Sequence, residues 1–282
     1  MMSTFRHELP ATNQALRQAI YEGAIFNIPA TPVSSTLVLE VCSLLREELG
    51  DDFRNAQFVL SYDDLFERIA KLKKFVYGQE HFRNLLRQLL SELGFDTDRL
   101  AIDPLRLRCV PHLGHDHPRA KSAYKAHRDT WYANPQAQVN CWLPLHDAAA
   151  AETFTFFPAF FDKAIDNSSG EFDYDDWSTT VGFGKSHVID NALYPSPPQG
   201  RLNPSEGTGF ASLAGDLLMF AAAHLHQSNE NVSGRSRFSM DFRLVDLEDQ
   251  LNGLGAPNAD NRSTGSAMTE YLMPASTGNT KT

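Results

Sequence analysis

The sequence lacks the cysteine pattern of a secreted domain or of a zinc-bound domain. Its 282 residues include only three cysteines, Cys42, Cys109 and Cys141, which lie far apart in apolar surroundings. Disulfide frameworks need paired cysteines, and zinc knuckles need closely spaced ones. The three cysteines are therefore predicted to be reduced residues of the core, which favours a cytoplasmic location.

Long apolar segments are also missing. No uninterrupted apolar run approaches the roughly 20 residues that a transmembrane helix requires. Residues 1–10 have no apolar centre of the kind that signal peptides carry. We therefore expect no membrane partner and no export.

Positive charge is scarce as well. The chain has 25 lysines and arginines against 35 aspartates and glutamates, a formal net charge of -10. Nucleic acids and anionic membranes bind clustered basic side chains, so the composition argues against both as partners. A small-molecule substrate is expected instead, bound by a monomer or a homodimer.

Apolar and aromatic residues, by contrast, are abundant. Hydrophobic residues make up 42% of the chain, and 19 residues are phenylalanine. This content is enough to bury one large core dominated by aromatic packing. We therefore expect residues 1–282 to form a single domain.

The first 100 residues have the periodicity of helices. Apolar residues recur at helical spacing, and serines and glycines stand where helices begin and end. The pattern predicts a weak helix over 12–24, an extended piece over 24–29, a helix capped by Ser34 or Ser35 and closed by Gly50, a helix from Ser61 to Gly78, and a helix over 79–93.

After Asp103 the pattern changes to that of strands. Alternating or β-rich segments are found at 105–109, 138–143, 154–157, 216–221 and 236–246. Helices followed by a run of strands predict a mainly β fold with N-terminal helices, in which layer 1–100 packs on a core at 101–248. Two segments are candidates for a lid, an irregular insertion at 159–210 and a polar tail at 249–282.

The triplet His127-Arg128-Asp129 carries the first sign of chemistry. On a strand its first and third side chains leave the same face, so an imidazole and a carboxylate converge, while Arg128 points away and takes no part in the chemistry. These two groups are part of the 2-His-1-carboxylate set that holds Fe(II) with open positions. The second histidine must come from elsewhere, and His224 and His226 are both candidates.

A second group of polar residues follows in a fixed order. It comprises Gly215, Asp216, His226, Ser228, Asn231 and Arg237. With the His127 triplet, this order resembles the phytanoyl-CoA dioxygenase-like branch of the Fe(II)/2-oxoglutarate oxygenases, over roughly residues 100–247. The resemblance implies a double-stranded β-helix, or jelly roll. It favours His226 over His224 as the metal ligand, and Arg237 over Arg235 as the residue that grips 2-oxoglutarate.

The cofactors follow from that resemblance. It implies Fe(II) bound by His127, Asp129 and His226, with 2-oxoglutarate and O2 as cosubstrates and ascorbate as a candidate reductant. Arginine suits the distal carboxylate of 2-oxoglutarate because its planar guanidinium binds a carboxylate bidentately and keeps its charge. Ser239, two residues beyond Arg237, and Asn140 are expected to add polar contacts.

The expected reaction is hydroxylation of an unactivated C–H bond, with decarboxylation of 2-oxoglutarate to succinate and CO2. Related halogenases need the carboxylate position vacant, so Asp129 favours hydroxylation. Desaturation, cyclisation and epimerisation at the same site are alternatives, and a non-catalytic binding jelly roll is a more remote one. Residues 128–146 resemble bacterial members from specialised-metabolite pathways, whereas residues 148–154 depart from the family pattern. An acyl-CoA substrate is therefore not implied.

Other candidate residues have two interpretations each. Trp131 and Tyr132 follow the triplet directly, so they are expected to be partly exposed in the substrate pocket; ordinary aromatic packing is the alternative. The loop with His112, His115 and His117 is expected to be solvated. Arg106, Arg108 and Arg243 are either salt-bridged scaffold or substrate contacts. The acidic residues of the insertion are expected to form a solvated loop, with binding of an amine or guanidine group as the alternative. They are Asp162, Asp166, Glu171, Asp173, Asp175 and Asp176.

Overall fold

Six α-helices lie in the part of the chain that the structure describes, and four of them form the N-terminal layer. The structure is a computed structural model that describes residues 5–180, 182 and 194–274. The helices are α1 (Asn13–Tyr21), α2 (Pro32–Leu49), α3 (Tyr62–Gly78), α4 (Glu80–Glu92), α5 (Tyr174–Thr180) and α6 (Leu247–Leu251). None of the helices in these ranges is long and apolar enough to span a bilayer.

The strands form two sheets. They are β1 (Phe5–Arg6), β2 (Ile25–Ile28), β3 (Leu100–Val110), β4 (Gln138–Pro144), β5 (Phe154–Phe156), β6 (Leu217–Ala221), β7 (His226–Ser228) and β8 (Arg237–Asp246). The large sheet has the order β1-β2-β6-β4-β8-β3, and β5 pairs with β7 in the small sheet. All neighbours in the large sheet are antiparallel except β1 and β2.

Alternation along each strand gives the large sheet two different faces. Phe238, Met240, Phe242 and Leu244 of β8 belong to the core that α1 to α4 cover. The opposite face of β4 and β6 packs on the small sheet, with Trp142 against Phe154 at a ring-centroid distance of 5.5 Å. Two packed sheets with helices outside the larger one confirm the predicted jelly-roll fold.

The N-terminal helices are close to their predicted bounds. Ser61 caps α3, as expected, through a hydrogen bond from the Asp64 N–H. At α2 the predicted cap is wrong, because Thr31 caps this helix and Ser34 completes a reciprocal capping box one turn in. The first third of the chain also contributes two strands to the large sheet, β1 and β2.

The residues after α6 lie against the β core. This C-terminal segment, residues 252–274, pairs with β3 through Leu272, whose N–H and C=O bond to Ile102 at 2.9 and 3.0 Å. It also contacts the turn after His127, where the Ala267 N–H donates to the Ala133 carbonyl. The rest of the predicted tail, 275–282, lies outside the described residues, as do 181 and 183–193 of the predicted insertion. The role of either segment as a lid stays a prediction.

Candidate metal centre

Two histidines that are far apart in sequence face each other in the structure. His127 and His226 form an antiparallel bridge, with N–H to C=O distances of 2.9 and 3.0 Å in the two directions. Side chains that are directly opposite in such a pair lie on one face and close together. The two imidazole centroids are accordingly 4.4 Å apart.

The carboxylate of Asp129 completes the group. Its Oδ1 lies 3.4 Å from His127 Nε2. The structure corrects the expected strand here, because only His127 is bridged and Asp129 begins a 3-10 turn, Asp129–Tyr132. The turn still directs the carboxylate toward the imidazoles. Among the described residues, only His127, Asp129 and His226 form a group of three potential ligands whose atoms all lie within 4.8 Å.

Backbone carbonyls fix the orientation of both imidazoles. His127 Nδ1 lies 2.9 Å from the Lys125 carbonyl, and His226 Nδ1 lies 3.0 Å from the His224 carbonyl. A carbonyl can only accept, so each Nδ1 carries the proton and each Nε2 presents its lone pair. Both rings therefore have Nε2 free for a metal, and Nε2 of His127 is the atom that faces Asp129.

The protonation states also suit a cation. Burial, together with the neighbouring His127, lowers the pKa of His226 to about 4, so this imidazole is neutral at pH 7. Burial opposes ionisation of Asp129, but the adjacent His127 imidazole and the charge of Arg243 outweigh it. Together with His226 they hold the pKa of Asp129 well below its usual range. The site thus combines a neutral imidazole with a permanent carboxylate.

Asn140 contacts this carboxylate directly. Its Nδ2 donates to Asp129 Oδ2 at 2.5 Å, and its Oδ1 accepts from Gln138 Nε2 at 2.7 Å. Both polar ends of the Asn140 amide are therefore occupied within the protein. The predicted contact to a cosubstrate stays untested, and the structure adds a role that the sequence did not indicate, namely orienting Asp129.

Arg237 and Ser239 of β8 lie on the same face of the large sheet as Asn140, the face that packs on the small sheet. Arg237 is 4% exposed, and its guanidinium makes one weak bond, from Nη1 to the Glu152 carbonyl at 3.3 Å. Within the part of the chain that the structure describes, Arg237 Nε and Ser239 Oγ have no hydrogen-bond partner. Burial lowers the pKa of Arg237 to about 10, which still leaves it charged at pH 7.

Neighbouring arginines on this face are paired, unlike Arg237. Arg106 binds Asp103 through two bonds of 2.9 and 2.8 Å, and Arg108 binds Asp241 through two bonds of 2.6 and 2.9 Å. Arg243 Nη1 lies 3.7 Å from Asp103. These contacts favour the scaffold interpretation for Arg106 and Arg108.

Two other residues of the motif, Asn231 and Asp216, hold the backbone at the starts of β8 and β6. The buried Asn231 amide donates to the Val110 and Arg235 carbonyls and accepts from Ser233, which holds the turn that leads into β8. Asp216 accepts the N–H groups of Ala30 and Leu213, which fixes the start of β6. The motif residues outside the centre thus act on the backbone that carries it.

Trp131 is not partly exposed, so that expectation is wrong. Its ring is fully buried with Phe157, Ile165 and Leu225, and its Nε1 donates to Asp260 of the C-terminal segment. Tyr132 is half-buried and stands edge-on to His127 at 5.4 Å. Its predicted contact with substrate stays a prediction.

Arg128 takes no part in the metal centre, as expected, but it has a larger structural role than the sequence indicated. Only 1% of it is exposed, and it pairs with Asp260 at 3.1 Å. Its guanidinium also donates to the carbonyls of Phe160, Phe161, Lys163 and Ala223. The residue between two candidate ligands therefore ties the insertion to the C-terminal segment.

The remaining candidate groups stay apart from the centre. His117 stacks on Tyr62 at 4.4 Å, and His112 packs beside Phe58. The six acidic residues of the insertion are all exposed, in keeping with a solvated loop. His224, the alternative second histidine, is buried against Phe161 at 4.5 Å, and burial lowers its pKa to about 3.

No protein-family model matches the chain, and no curated protein is significantly similar to it. Solved structures with partial similarity include EvdO2 from Micromonospora carbonacea var. aurantiaca in complex with 2-oxoglutarate (14% identity, TM-score 0.40). That match covers 62% of this chain and 65% of EvdO2, so the chain spans less than two thirds of that protein.

Two other solved structures cover more of the chain. The non-heme monooxygenase ThoJ has 13% identity and a TM-score of 0.39, over 77% of this chain and 71% of ThoJ. The epimerase SnoN, in complex with Fe3+, alpha ketoglutarate and nogalamycin RO, has 16% identity and a TM-score of 0.39, over 89% of this chain and 98% of SnoN. Similarity at these identities and TM-scores does not indicate a function.

Proposed function

We propose that the protein is a non-haem Fe(II)- and 2-oxoglutarate-dependent dioxygenase that hydroxylates an unactivated C–H bond of a small specialised metabolite. The observation that carries the proposal is the combination of two features. One is a facial group of two imidazoles and a carboxylate, and the other is a buried arginine without a carboxylate partner among the described residues.

The donor set fits Fe(II). One ligand atom from each of His127, Asp129 and His226 lies within 4.8 Å of the other two, and two imidazoles with one carboxylate are the ligand set of non-haem iron oxygenases. The aromatic rings of Phe154, Phe156 and Phe220 surround His226 at centroid distances of 5.6, 6.1 and 5.4 Å. These rings exclude water from one side of the centre and strengthen its electrostatic interactions.

The Arg237 and Ser239 pair fits the distal carboxylate of 2-oxoglutarate. A buried polar group without a partner costs about 1 to 3 kcal/mol, and a ligand that bonds to Arg237 and Ser239 would remove this cost for both. A carboxylate accepts from both a guanidinium and a hydroxyl. We therefore assign Arg237 the charge and Ser239 the second hydrogen bond.

The chain's own residues have defined tasks in this reaction. The bound iron and 2-oxoglutarate supply the oxidising chemistry when O2 reacts with them, with succinate and CO2 as products. Asn140 holds Oδ2 of Asp129, so that Oδ1 remains directed at the imidazoles. Tyr132, edge-on to His127, lines the approach to the centre and is our candidate substrate contact.

The presence of Asp129 favours hydroxylation over halogenation, because an occupied carboxylate position leaves no place for a halide on the metal. Desaturation, cyclisation and epimerisation would use the same residues. Product analysis distinguishes them: hydroxylation adds one oxygen atom to the substrate, and epimerisation leaves its mass unchanged.

The test uses the metal and cosubstrate without any substrate. Anaerobic addition of Fe(II) and then 2-oxoglutarate to the wild-type protein is expected to produce a visible charge-transfer absorption. Arg237→Met should raise the 2-oxoglutarate concentration that this absorption requires, while leaving Fe(II) binding unchanged. If wild-type protein binds Fe(II) but gives no such absorption at saturating 2-oxoglutarate, the cosubstrate assignment is wrong, and a metal-binding or hydrolytic site replaces it.

A further inference from the structure

A chain of hydrogen bonds connects the C-terminal segment to the metal centre. The Tyr271 hydroxyl donates to Gln138 Oε1 at 2.5 Å, and Gln138 Nε2 donates to Asn140 Oδ1 at 2.7 Å. Asn140 Nδ2 then donates to Asp129 Oδ2 at 2.5 Å. Every bond runs in the same direction, from the tyrosine hydroxyl to the carboxylate.

All four side chains are buried. Gln138 is completely inaccessible, and Asn140, Tyr271 and Asp129 are 5%, 6% and 7% exposed. Bonds aligned in this way polarise one another in a medium of low dielectric constant, so each strengthens the next. The terminal acceptor is the one ionised group, and an ionised acceptor makes the strongest bond of the chain.

Tyr271, the first residue of this chain of hydrogen bonds, lies in the C-terminal segment. Leu272, next to Tyr271, pairs with Ile102 on β3, the last strand of the large sheet. The N–H groups of Ala256 and Ala267 donate to the carbonyls of Gln136 and Ala133, which both lie just before β4 begins at Gln138. Docking of residues 256–272 therefore places the Tyr271 hydroxyl on Gln138.

We propose that Tyr271 is a positioning residue of the metal centre, and that docking of the C-terminal segment and binding of the metal stabilise one another through Gln138, Asn140 and Asp129. This inference rests on the proposed function, since it assumes a metal at His127, Asp129 and His226. A correctly oriented Asp129 requires Asn140 to be held by Gln138. Gln138 is in turn held only when Tyr271 is in place, which makes the coupling reciprocal.

The test measures binding of Co(II) alone to the full chain. Tyr271→Phe keeps the ring but removes the hydroxyl, and we expect it to weaken Co(II) affinity by about 10-fold, at the low end of the range for lost outer hydrogen bonds at metal sites. The Co(II) absorption bands should also shift, because the carboxylate is no longer fixed. Gln138→Met breaks the chain one bond nearer the metal and should weaken Co(II) binding at least as much.

Tyr21→Phe is the matched control. The Tyr21 hydroxyl is also buried and bonds to Asp249 at 3.0 Å and to the Ala137 carbonyl at 3.1 Å. It has no bond to Gln138, Asn140 or Asp129 among the described contacts. This variant should lose stability to a similar degree without any change in Co(II) affinity or spectrum.

Hydrogen exchange gives a second readout in the wild-type protein. The Leu272 amide, bonded to Ile102, is expected to exchange more slowly when Co(II) is bound, and Tyr271→Phe should abolish this difference. Wild-type affinity and spectrum in both Tyr271→Phe and Gln138→Met would overturn the coupling while leaving the proposed function intact. A wild-type protein that binds no Co(II) would overturn the metal centre and the coupling with it.

Discussion

Two buried polar groups at the face of the large sheet that packs on the small sheet differ in their hydrogen bonding. In the first group, Gln138 and Asn140 of β4 and Asp129 of the 3-10 turn find their hydrogen-bond partners within the chain. In the second group, Arg237 Nε and Ser239 Oγ find none among the described residues. The hydrogen bonds of the first group are complete within the chain, whereas the second group has free hydrogen-bonding capacity, which we propose that the cosubstrate anion fills.

We interpret the first group as residues that position the Asp129 carboxylate, and the second group as residues that bind the cosubstrate. A satisfied network holds its members in a single geometry and has no capacity left for a ligand. An unsatisfied pair destabilises the ligand-free protein and returns that free energy when a ligand binds. The contrast predicts that substitutions in the two groups change different quantities, metal affinity in the first and cosubstrate affinity in the second.

The largest effect is expected in the first group. Asp129→Ala removes a ligand, so Co(II) affinity should fall by more than the roughly 10- to 100-fold that loss of an outer contact causes. Consumption of 2-oxoglutarate should fall to background. Titration with Co(II) and measurement of succinate check both. Wild-type turnover in Asp129→Ala would mean that the three-ligand assignment is wrong.

The next effect is expected in the second group. Arg237→Met should raise the dissociation constant of 2-oxoglutarate by about 100-fold, because removal of one partner from a buried charge pair costs about 2 to 5 kcal/mol. The melting temperature of the ligand-free protein should not fall, since no carboxylate of the described residues loses its partner.

Arg17→Met is the matched control for that substitution. Arg17 is also buried, with 7% of it exposed, but it pairs with Asp249 at 2.5 Å and with Asp246 at 3.2 Å. Its loss leaves the buried Asp249 carboxylate without its arginine partner and should lower the free energy of unfolding by about 3 to 5 kcal/mol, with unchanged 2-oxoglutarate affinity. If Arg17→Met and Arg237→Met lowered the free energy of unfolding equally, the difference between the paired Arg17 and the unpaired Arg237 would be contradicted.

A substitution at Asn140 shows whether this residue orients Asp129 or contacts the cosubstrate. Asn140→Leu should weaken Co(II) binding by about 10-fold or more in the absence of 2-oxoglutarate, because Asp129 loses an outer hydrogen-bond partner. Calorimetric titration with Co(II) alone measures this. A loss of 2-oxoglutarate affinity with normal Co(II) binding would instead support the cosubstrate contact that the sequence predicted.

The smallest effect is expected at Ser239. Ser239→Ala should weaken 2-oxoglutarate binding by about 5-fold, equivalent to one hydrogen bond of about 1 kcal/mol. The ligand-free protein should melt at the same or a higher temperature, since the hydroxyl has no partner to lose in the described structure. Ser236→Ala is the control, because the buried Ser236 hydroxyl bonds to Gln57 at 2.8 Å and its loss should lower the melting temperature.

Much of the fold follows from local patterns. Alternation at 138–143 and 237–244 places polar and apolar residues on opposite faces of β4 and β8, and the structure follows this alternation. Caps and helical periodicity gave α3 and α4 to within a few residues. The choice of cap at α2 was wrong because Ser34 and Thr31 both form local hydrogen bonds there, and only the geometry of the helix start distinguishes them.

By itself the sequence supplied the residue types of the proposed site, because imidazoles and a carboxylate suit iron and a guanidinium suits a carboxylate. The family resemblance then selected His226 over His224 and Arg237 over Arg235. The tertiary structure decided which groups meet. It paired His127 with His226, buried Trp131, and brought Tyr271 to Gln138. The two pairings, His127 with His226 and Tyr271 with Gln138, join positions about 100 and 133 residues apart, where no local period operates and long-range strand pairing sets the register.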